Sequence, residues 1–219
     1  MENINRFIEY TNLSPTVKDK EIDKLIREAQ DHQFRAVCIP PFWVKKARRE
    51  LGNSQVLLVT VAGFPLGFNM TETKIAEMKQ AIDDGVDEIE IVMNISAFKS
   101  GMPWVKVELA KCASFAHDSE IILKVIIETA YLDADEIESA CKICADSGTD
   151  FVKTSTGLAP SGARVEDISL MRKVLPSRVG IKATGGIRTY DDALQMIRAG
   201  ANIIGTSSAP QIIASISEK

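Results

Sequence analysis

Short apolar runs rich in Val and Ile recur along the whole chain, with longer amphipathic stretches between them. Runs of this length are typical of strands buried on both faces, while the amphipathic stretches have the spacing of helices. The predicted strands are 7–11, which is the faintest, 36–39, 56–61, 88–92, 121–127, 151–154, 179–183 and 202–205. Starts of successive runs lie about 20 to 33 residues apart, so one unit repeats without a linker.

The amphipathic stretches between the runs predict six helices. They cover 18–32, 71–84, 103–117, 133–147, 165–175 and 190–199. Gly85, Gly148 and Gly200 each follow such a stretch and precede an apolar run, where a left-handed residue commonly ends a helix. Alternating strands and helices indicate βαβ units and a parallel sheet. Eight units in 219 residues predict a single-domain (β/α)8 TIM barrel over residues 1–219. A doubly wound open sheet stays the alternative, since periodicity does not show closure.

Composition and charge narrow the class of protein. Hydrophobic residues make up 45% of the chain and charged residues 26%, which is ordinary for a globular protein. The net charge is −4 and there is no basic run, so neither nucleic acid nor a membrane surface is an expected partner. No signal peptide and no long apolar segment is evident, and we expect a cytoplasmic protein.

The cysteines and histidines do not predict a metal site. A chain without a secretory signal is expected to keep its thiols reduced. Cys141 and Cys144 form a CxxC motif within a predicted helix, where packing is the expected role. A zinc site needs more ligands than this pair, and His32 and His117 lie far away in the sequence. We therefore expect no metal. The sequence also has no nicotinamide-binding fingerprint, and we expect no organic cofactor.

Charged residues interrupt strands that should be apolar. Lys124, Lys153 and Lys182 lie inside predicted strands, and Glu90 lies inside EIEIV. Such residues can be solvent-facing or edge positions, or structural ion pairs. A closed barrel has no edges, however, and burying several ammonium groups requires mutual compensation. Lys153 and Lys182 stand near the carboxyl ends of their strands, which is the face where barrel enzymes carry their chemistry.

Two neighbouring lysines suggest a specific reaction type. A lysine amine is nucleophilic only after it loses its proton, and a second ammonium at about 6 Å favours that loss by roughly 3 kcal/mol. A neutral lysine can attack a carbonyl and form a Schiff base, which acts as an electron sink for making or breaking a carbon–carbon bond. Spacing and burial treat Lys153 and Lys182 alike, so they do not show which one is the nucleophile.

The loops after the last two strands predict a phosphate site. ATGGIR places Gly185 and Gly186 after the seventh strand, with Arg188 close behind. After the eighth strand, Ser207 or Ser208 can cap a short helix that has Pro210 in its first turn. Loops of this kind commonly bind phosphate in (β/α)8 barrels, although glycines also serve simply as turns. A sugar phosphate is the expected substrate class.

Several segments in this order resemble the deoxyribose-phosphate aldolases, a family of class I aldolases with a (β/α)8 barrel. They are AVCIPP, GFPLG, LKVIIET, FVKTSTG and GIKATGGIR. The resemblance implies metal-free cleavage of 2-deoxyribose 5-phosphate to acetaldehyde and glyceraldehyde 3-phosphate. It implies that Lys153 is the Schiff-base nucleophile and that Lys182 promotes its deprotonation. It implies a homo-oligomer, for which we expect a dimer.

The resemblance also implies the other site residues. The pocket residues are Glu9, Thr11, Cys38, Phe64 and Lys124, and the phosphate-binding residues are Gly157, Gly185, Gly186, Arg188, Ser207 and Ser208. Two acids depart from the family pattern. Glu90 stands where the family has a proton-transferring aspartate, and Glu9 stands in IEYT where the family has IDHT. Each is longer by one methylene, and a small misplacement can slow catalysis considerably.

Three functions therefore remain open from the sequence. The first is an aldolase acting on a deoxypentose phosphate. The second is a Schiff-base aldolase or transaldolase with another sugar phosphate. The third is a catalytically weakened phosphosugar-binding protein, which the changes at Glu9 and Glu90 would favour and the retention of both lysines would not.

Overall fold

A computed structural model describes residues 3–215 and contains one closed barrel of eight parallel strands. The strands are β1 (Ile8–Thr11), β2 (Ala36–Cys38), β3 (Leu57–Ala62), β4 (Glu88–Val92), β5 (Ile122–Ile126), β6 (Phe151–Lys153), β7 (Gly180–Thr184) and β8 (Ile203–Thr206). Each strand pairs with its sequence neighbours, and β8 closes the sheet on β1. The predicted (β/α)8 barrel is confirmed, and the open sheet is wrong because both edges pair with each other.

Helices surround the barrel, between successive strands and after β8. They are α1 (Asp19–Asp31), α2 (Val44–Leu51), α3 (Thr71–Asp83), α4 (Ile95–Lys99), α5 (Trp104–His117), α6 (Ala134–Asp146), α7 (Val165–Val174), α8 (Tyr190–Ala199) and α9 (Ala209–Ala214). All six predicted helices are present with ends within about two residues of those expected. The helices α2 and α4, which are only 8 and 5 residues long, were not predicted from the sequence.

Several finer expectations can be compared with these elements. Gly85, Gly148 and Gly200 all have positive φ after their helices, as expected. Pro210 lies in the first turn of α9, and Ser208 precedes the helix, but its side chain makes no capping hydrogen bond. Residues 1, 2 and 216–219 of the predicted 1–219 domain lie outside the described part of the chain. Among residues 3–215, the helices are too short or too polar to cross a lipid bilayer.

Side chains on the strands alternate between the helix layer and the interior of the barrel. On β4, Ile89 and Ile91 belong to the main apolar core beneath the helices. Glu88 and Glu90, at the alternate positions, are completely buried, and Glu90 contacts Lys153 on β6 and Lys182 on β7, neither of which is a neighbour of β4. Such contacts can only be made across the interior of the barrel. The fold therefore places the charged strand positions in one enclosed space.

Candidate active site

Three lysines from consecutive strands meet in the barrel interior. Lys124 lies on β5, Lys153 on β6 and Lys182 on β7, and all three have 0% exposure. Lys153 and Lys182 are direct partners in the register of β6 and β7. The expectation that these lysines are buried neighbours, rather than solvent-facing strand residues, is confirmed.

Glu90 joins the two lysines. Lys153 Nζ donates to Glu90 Oε2 at 2.6 Å, and Lys182 Nζ donates to Glu90 Oε1 at 2.6 Å. Burial opposes the ionisation of Glu90, but the charges of Lys153 and Lys182 outweigh it and hold the pKa of Glu90 well below its ordinary value. Glu90 is therefore a carboxylate shared by two ammonium groups, despite the additional methylene.

Glu9 makes the second shared contact, with Lys182 and Lys124. Lys182 donates to Glu9 Oε1, and Lys124 Nζ donates to Glu9 Oε2 at 2.5 Å. Burial alone would lower the pKa of Lys182, but Glu9 and Glu90 reverse this effect and raise it. The idea that crowding makes each of the paired lysines lose its proton more easily is therefore wrong for Lys182, because two carboxylates surround its ammonium.

The two lysines are consequently not equivalent. Among residues 3–215, Glu90 is the only carboxylate within 4 Å of Lys153 Nζ, whereas Lys182 has both Glu9 and Glu90. An ammonium with fewer anionic partners is less stabilised in a buried site. This asymmetry separates the two lysines, which the sequence alone could not do.

The cluster of charged side chains continues toward the amino end of the strands, where no site residue was predicted from the sequence. Lys124 Nζ lies 2.6 Å from Glu88 Oε2, and Arg35 donates to Glu88 through both Nη1 (3.0 Å) and Nη2 (2.5 Å). Burial disfavours the Glu88 carboxylate, but Lys124 and Arg35 outweigh it and lower its pKa to about 2. Glu88 is spaced two residues from Glu90, and this alternation was the available signal.

Cys38 and Phe64 lie on a more apolar side of the barrel. Cys38 belongs to a buried cluster with Val59 and Val61, against which Phe64 packs. The Cys38 thiol lies 3.8 Å from Glu90 Oε2, and burial followed by the negative charge of Glu90 raises its pKa, so the thiol stays protonated. Both predicted pocket residues are thus near the cluster, as part of its apolar wall.

Glu9, Cys38 and Glu90 also bring three potential metal-ligand atoms within 4.8 Å of one another. This donor set does not fit a metal ion well. Both carboxylates already bond ammonium groups, and a thiol must lose its proton to become a good ligand. The cluster is better matched to lysine partners than to a divalent cation.

A cavity of about 400 Å³ lies at the carboxyl end of the strands. Six of the predicted residues line it: Thr11, Gly157, Gly185, Gly186, Arg188 and Ser207. Ser208 is outside this lining, at the residue before α9. Gly157 and Gly186 are exposed in this lining, and so is Arg188. The cavity therefore offers the type of backbone and cationic donors that bind a phosphate.

Two glycines allow this end of the barrel to close tightly. A Cβ on Gly185, which has a φ of +97°, would lie 2.7 Å from the backbone of Gly162. A Cβ on Gly205 would lie 2.7 Å from Lys182 Cε and 2.3 Å from Thr184 Oγ1. Gly205 thus leaves the space that the side chain of Lys182 occupies, a role that its place in the apolar NIIG run did not reveal.

Comparisons with known proteins agree with this geometry. A model of the DeoC/LacD family of aldolases matches residues 4–212. Proteins named deoxyribose-phosphate aldolase from Thermococcus kodakarensis and Brevibacillus brevis are 48% and 46% identical, and each match covers 96% of this chain and 95% of the relative. The structure of a tetrameric deoxyribose phosphate aldolase from Aeropyrum pernix is 31% identical, with a TM-score of 0.92 over 99% of this chain and 92% of that one.

These matches extend along nearly the full chain, and the Aeropyrum pernix structure has the same fold. The match includes every strand that contributes to the lysine and glutamate cluster. The chain belongs to the DeoC/LacD family of aldolases.

Proposed function

We propose that this protein is a class I aldolase that reversibly cleaves 2-deoxy-D-ribose 5-phosphate to D-glyceraldehyde 3-phosphate and acetaldehyde. The observation that carries the proposal is the buried pair Lys153 and Lys182, which shares Glu90 in the barrel interior. The glycine-lined cavity at the carboxyl end of the same strands supports a phosphorylated substrate. The names of the relatives support the deoxyribose phosphate in particular.

In this mechanism Lys153 is the nucleophile. Its neutral amine attacks C1 of the open-chain sugar, and loss of water gives a protonated imine. A base removes the proton of the C3 hydroxyl, the C2–C3 bond breaks, and its electrons move into the imine to form an enamine. C3 becomes the carbonyl carbon of glyceraldehyde 3-phosphate. Protonation at C2 and hydrolysis then release acetaldehyde and restore the amine.

Lys182 is assigned to favouring the neutral amine of Lys153, and Glu90 is assigned to proton transfer. The raised pKa of Lys182 supports a permanent positive charge beside Lys153, which disfavours a second ammonium there. Glu90 contacts both lysines and is suited to moving a proton between them and the substrate. Glu9 and Lys124 are assigned to holding Lys182 in place and forming the pocket floor.

The phosphate is assigned to the carboxyl-end cavity and its adjoining loop. Its proposed ligands are Gly157, Gly185, Gly186, Arg188, Ser207 and Ser208. Thr11, Cys38 and Phe64 are assigned to the pocket wall. No metal or organic cofactor takes part in these steps.

Turnover of 2-deoxyribose 5-phosphate, followed by the appearance of glyceraldehyde 3-phosphate, tests the function. We expect activity that EDTA leaves unchanged. Faster cleavage of another sugar phosphate would favour a Schiff-base aldolase or transaldolase with a different substrate. Phosphate binding without cleavage of any sugar phosphate would favour the phosphosugar-binding protein. Glu90 and Glu9 both form hydrogen bonds with lysines of the cluster despite the additional methylene, which supports an active enzyme over a phosphosugar-binding protein.

For assembly and location, we infer a cytoplasmic homo-oligomer. The relative from Aeropyrum pernix is described as tetrameric, which supports assembly without fixing the dimer expected from the sequence. Light scattering of the purified protein distinguishes the two states. A monomer at micromolar concentration would contradict the inference.

A further inference from the structure

One short segment separates the phosphate cavity from a second cavity. Residues 156–158 contribute to the lining of the first cavity, and Thr156 and Leu158 also line a neighbouring cavity of about 540 Å³. Pro65, Ile95 and Tyr131 also line that second cavity, which is largely apolar. The position of this segment therefore determines the shape of the phosphate cavity on one side.

Glu128, which follows β5, is positioned to hold this segment. Pairing between β5 and β6 loses its regular register there, because Ile127 N bonds Lys153 O while Thr129 N bonds Thr154 O. The chain after β5 thus advances by two residues while the chain after β6 advances by one, as in a β-bulge. A bulge of this kind changes the direction in which a side chain points. Glu128 itself has a φ of +51°, which is unfavourable for a residue other than glycine.

The redirected carboxylate bonds the segment at its first residue. Thr156 N donates to Glu128 Oε2 at 3.0 Å, and the Thr156 hydroxyl donates to the same oxygen. Leu158 N in turn donates to Thr156 Oγ1 at 3.1 Å. A chain of hydrogen bonds thus leads from Glu128 across Gly157, which the sequence predicted as a phosphate residue, to Leu158.

The second carboxylate oxygen has no such role. Glu128 is only 2% exposed, and its Oε1 has no hydrogen-bond partner within residues 3–215. Only an acceptor at the Oε2 position is therefore needed to hold Thr156. A glutamine can supply that acceptor and place its amide nitrogen where Oε1 lies, whereas an alanine supplies nothing.

We propose that Glu128 is a positioning residue that fixes segment 156–158 and thereby the affinity of the neighbouring cavity for phosphate. The inference rests on the proposed function, since it makes Glu128 a determinant of the preference for phosphorylated substrates. It acts as a hydrogen-bond acceptor for Thr156, and takes no part in the chemistry at Lys153.

Binding of inorganic phosphate, measured by calorimetry, tests the proposal without requiring turnover. In Glu128→Ala we expect phosphate affinity to fall at least about tenfold, because Thr156 loses its acceptor. KM for 2-deoxyribose 5-phosphate should rise in parallel, while the rate of borohydride trapping with acetaldehyde, which has no phosphate, should stay near that of the parent. Glu128→Gln should restore phosphate affinity to near the parent value.

Asp150→Ala is the matched control. Asp150 also accepts a backbone N–H with its carboxylate, from Leu123 at 2.8 Å, but it lies at the opposite end of β6. It should lower the melting temperature without changing phosphate affinity. A purely structural role for Glu128 would give the same pattern in Glu128→Ala and would overturn the proposal. Glu128→Gln binding as weakly as Glu128→Ala would also overturn it.

A second pair of variants covers the case in which Glu128→Ala does not fold. Thr156→Val removes the hydroxyl that links Glu128 to Leu158 N, and Thr156→Ser retains it. Weaker phosphate binding by the valine variant alone supports the proposal, and equal binding by both contradicts it. If the parent binds phosphate but does not cleave 2-deoxyribose 5-phosphate, the proposed function is contradicted. The role of Glu128 is then still tested by comparing phosphate affinity among the parent and the variants.

Discussion

Two buried lysine sites in this chain differ in what surrounds the ammonium group. Lys74 on α3 is completely buried, and its Nζ bonds Glu108 Oε1 at 2.6 Å and Val92 O at 2.8 Å. It is one cation with one carboxylate. In the barrel interior, by contrast, Glu90 lies within 4 Å of Lys124, Lys153 and Lys182.

The difference shows that burial of a lysine does not by itself identify an active site. The Lys74–Glu108 pair has a matched partner for each charge and links α3 to α5, so its expected role is structural. In the interior cluster, by contrast, one carboxylate is shared among several lysine ammonium groups. Shared carboxylates allow a proton to move or one lysine to become neutral while the others keep their partners.

The largest expected effect separates the two sites by activity. Lys153→Ala should lower turnover of 2-deoxyribose 5-phosphate by at least about four orders of magnitude, because the covalent nucleophile is lost. Lys74→Met should retain turnover close to the parent value per folded molecule. Steady-state kinetics on both purified variants checks this. A similar loss of turnover in both variants would contradict the assignment of a catalytic role to Lys153 and a structural role to Lys74.

The next effect concerns pH. Lys182→Leu removes a positive charge next to Lys153 and frees Glu90, which already bonds Lys153, to stabilise the Lys153 ammonium. Turnover near neutral pH should fall by about two orders of magnitude, and the rising limb of the pH–rate profile should move to higher pH. Lys182→Arg keeps the charge and should not show that displacement. A profile for Lys182→Leu that coincides with the parent's would remove the assigned role of Lys182.

For stability, we expect substitution of Lys74 to have a larger effect than substitution of Lys153, which is the reverse of the order expected for activity. Lys74→Met leaves the buried Glu108 without its cation, which should lower the free energy of unfolding by about 3 kcal/mol. Lys153→Met should cost less, since Glu90 still bonds Lys182. Urea denaturation monitored by circular dichroism measures both. Equal losses would indicate that the interior carboxylates are not shared in solution.

The smallest effect is in the acid dependence of stability. The pKa of Glu88 is about 2 in the folded protein, below its ordinary value of 4.5. The stability that this ionised carboxylate contributes is therefore present above pH 4.5 and is lost progressively as the pH falls toward 2. Glu88→Gln should weaken the pH dependence of the unfolding free energy in that window. An unchanged slope between pH 5 and 3 would contradict the contact with Lys124 and Arg35.

Strand and helix patterns allowed most of the fold to be predicted, because the barrel repeats one unit with strong apolar periodicity. The short helices α2 and α4 were missed since few turns of amphipathic spacing give a weak signal. Closure of the sheet is a long-range property, and the pairing of β1 with β8 became visible only in the structure.

For the site, the lysines were identifiable because a charge inside an apolar strand breaks a local pattern. Lys74 was not, since a lysine in an amphipathic helix resembles a surface residue. Glu128 could not be found either, because its role depends on a positive φ and on Thr156 of another loop. The inequality of Lys153 and Lys182 likewise depends on Glu9, which is more than 140 residues from either of them in the sequence.

Borohydride reduction in the presence of acetaldehyde, followed by peptide mass spectrometry, tests the central claim most directly. The account predicts one adduct, on the peptide that contains Lys153, with Lys74, Lys124 and Lys182 unmodified. An adduct on Lys182 instead of Lys153, or no adduct from protein that cleaves 2-deoxyribose 5-phosphate, would contradict it.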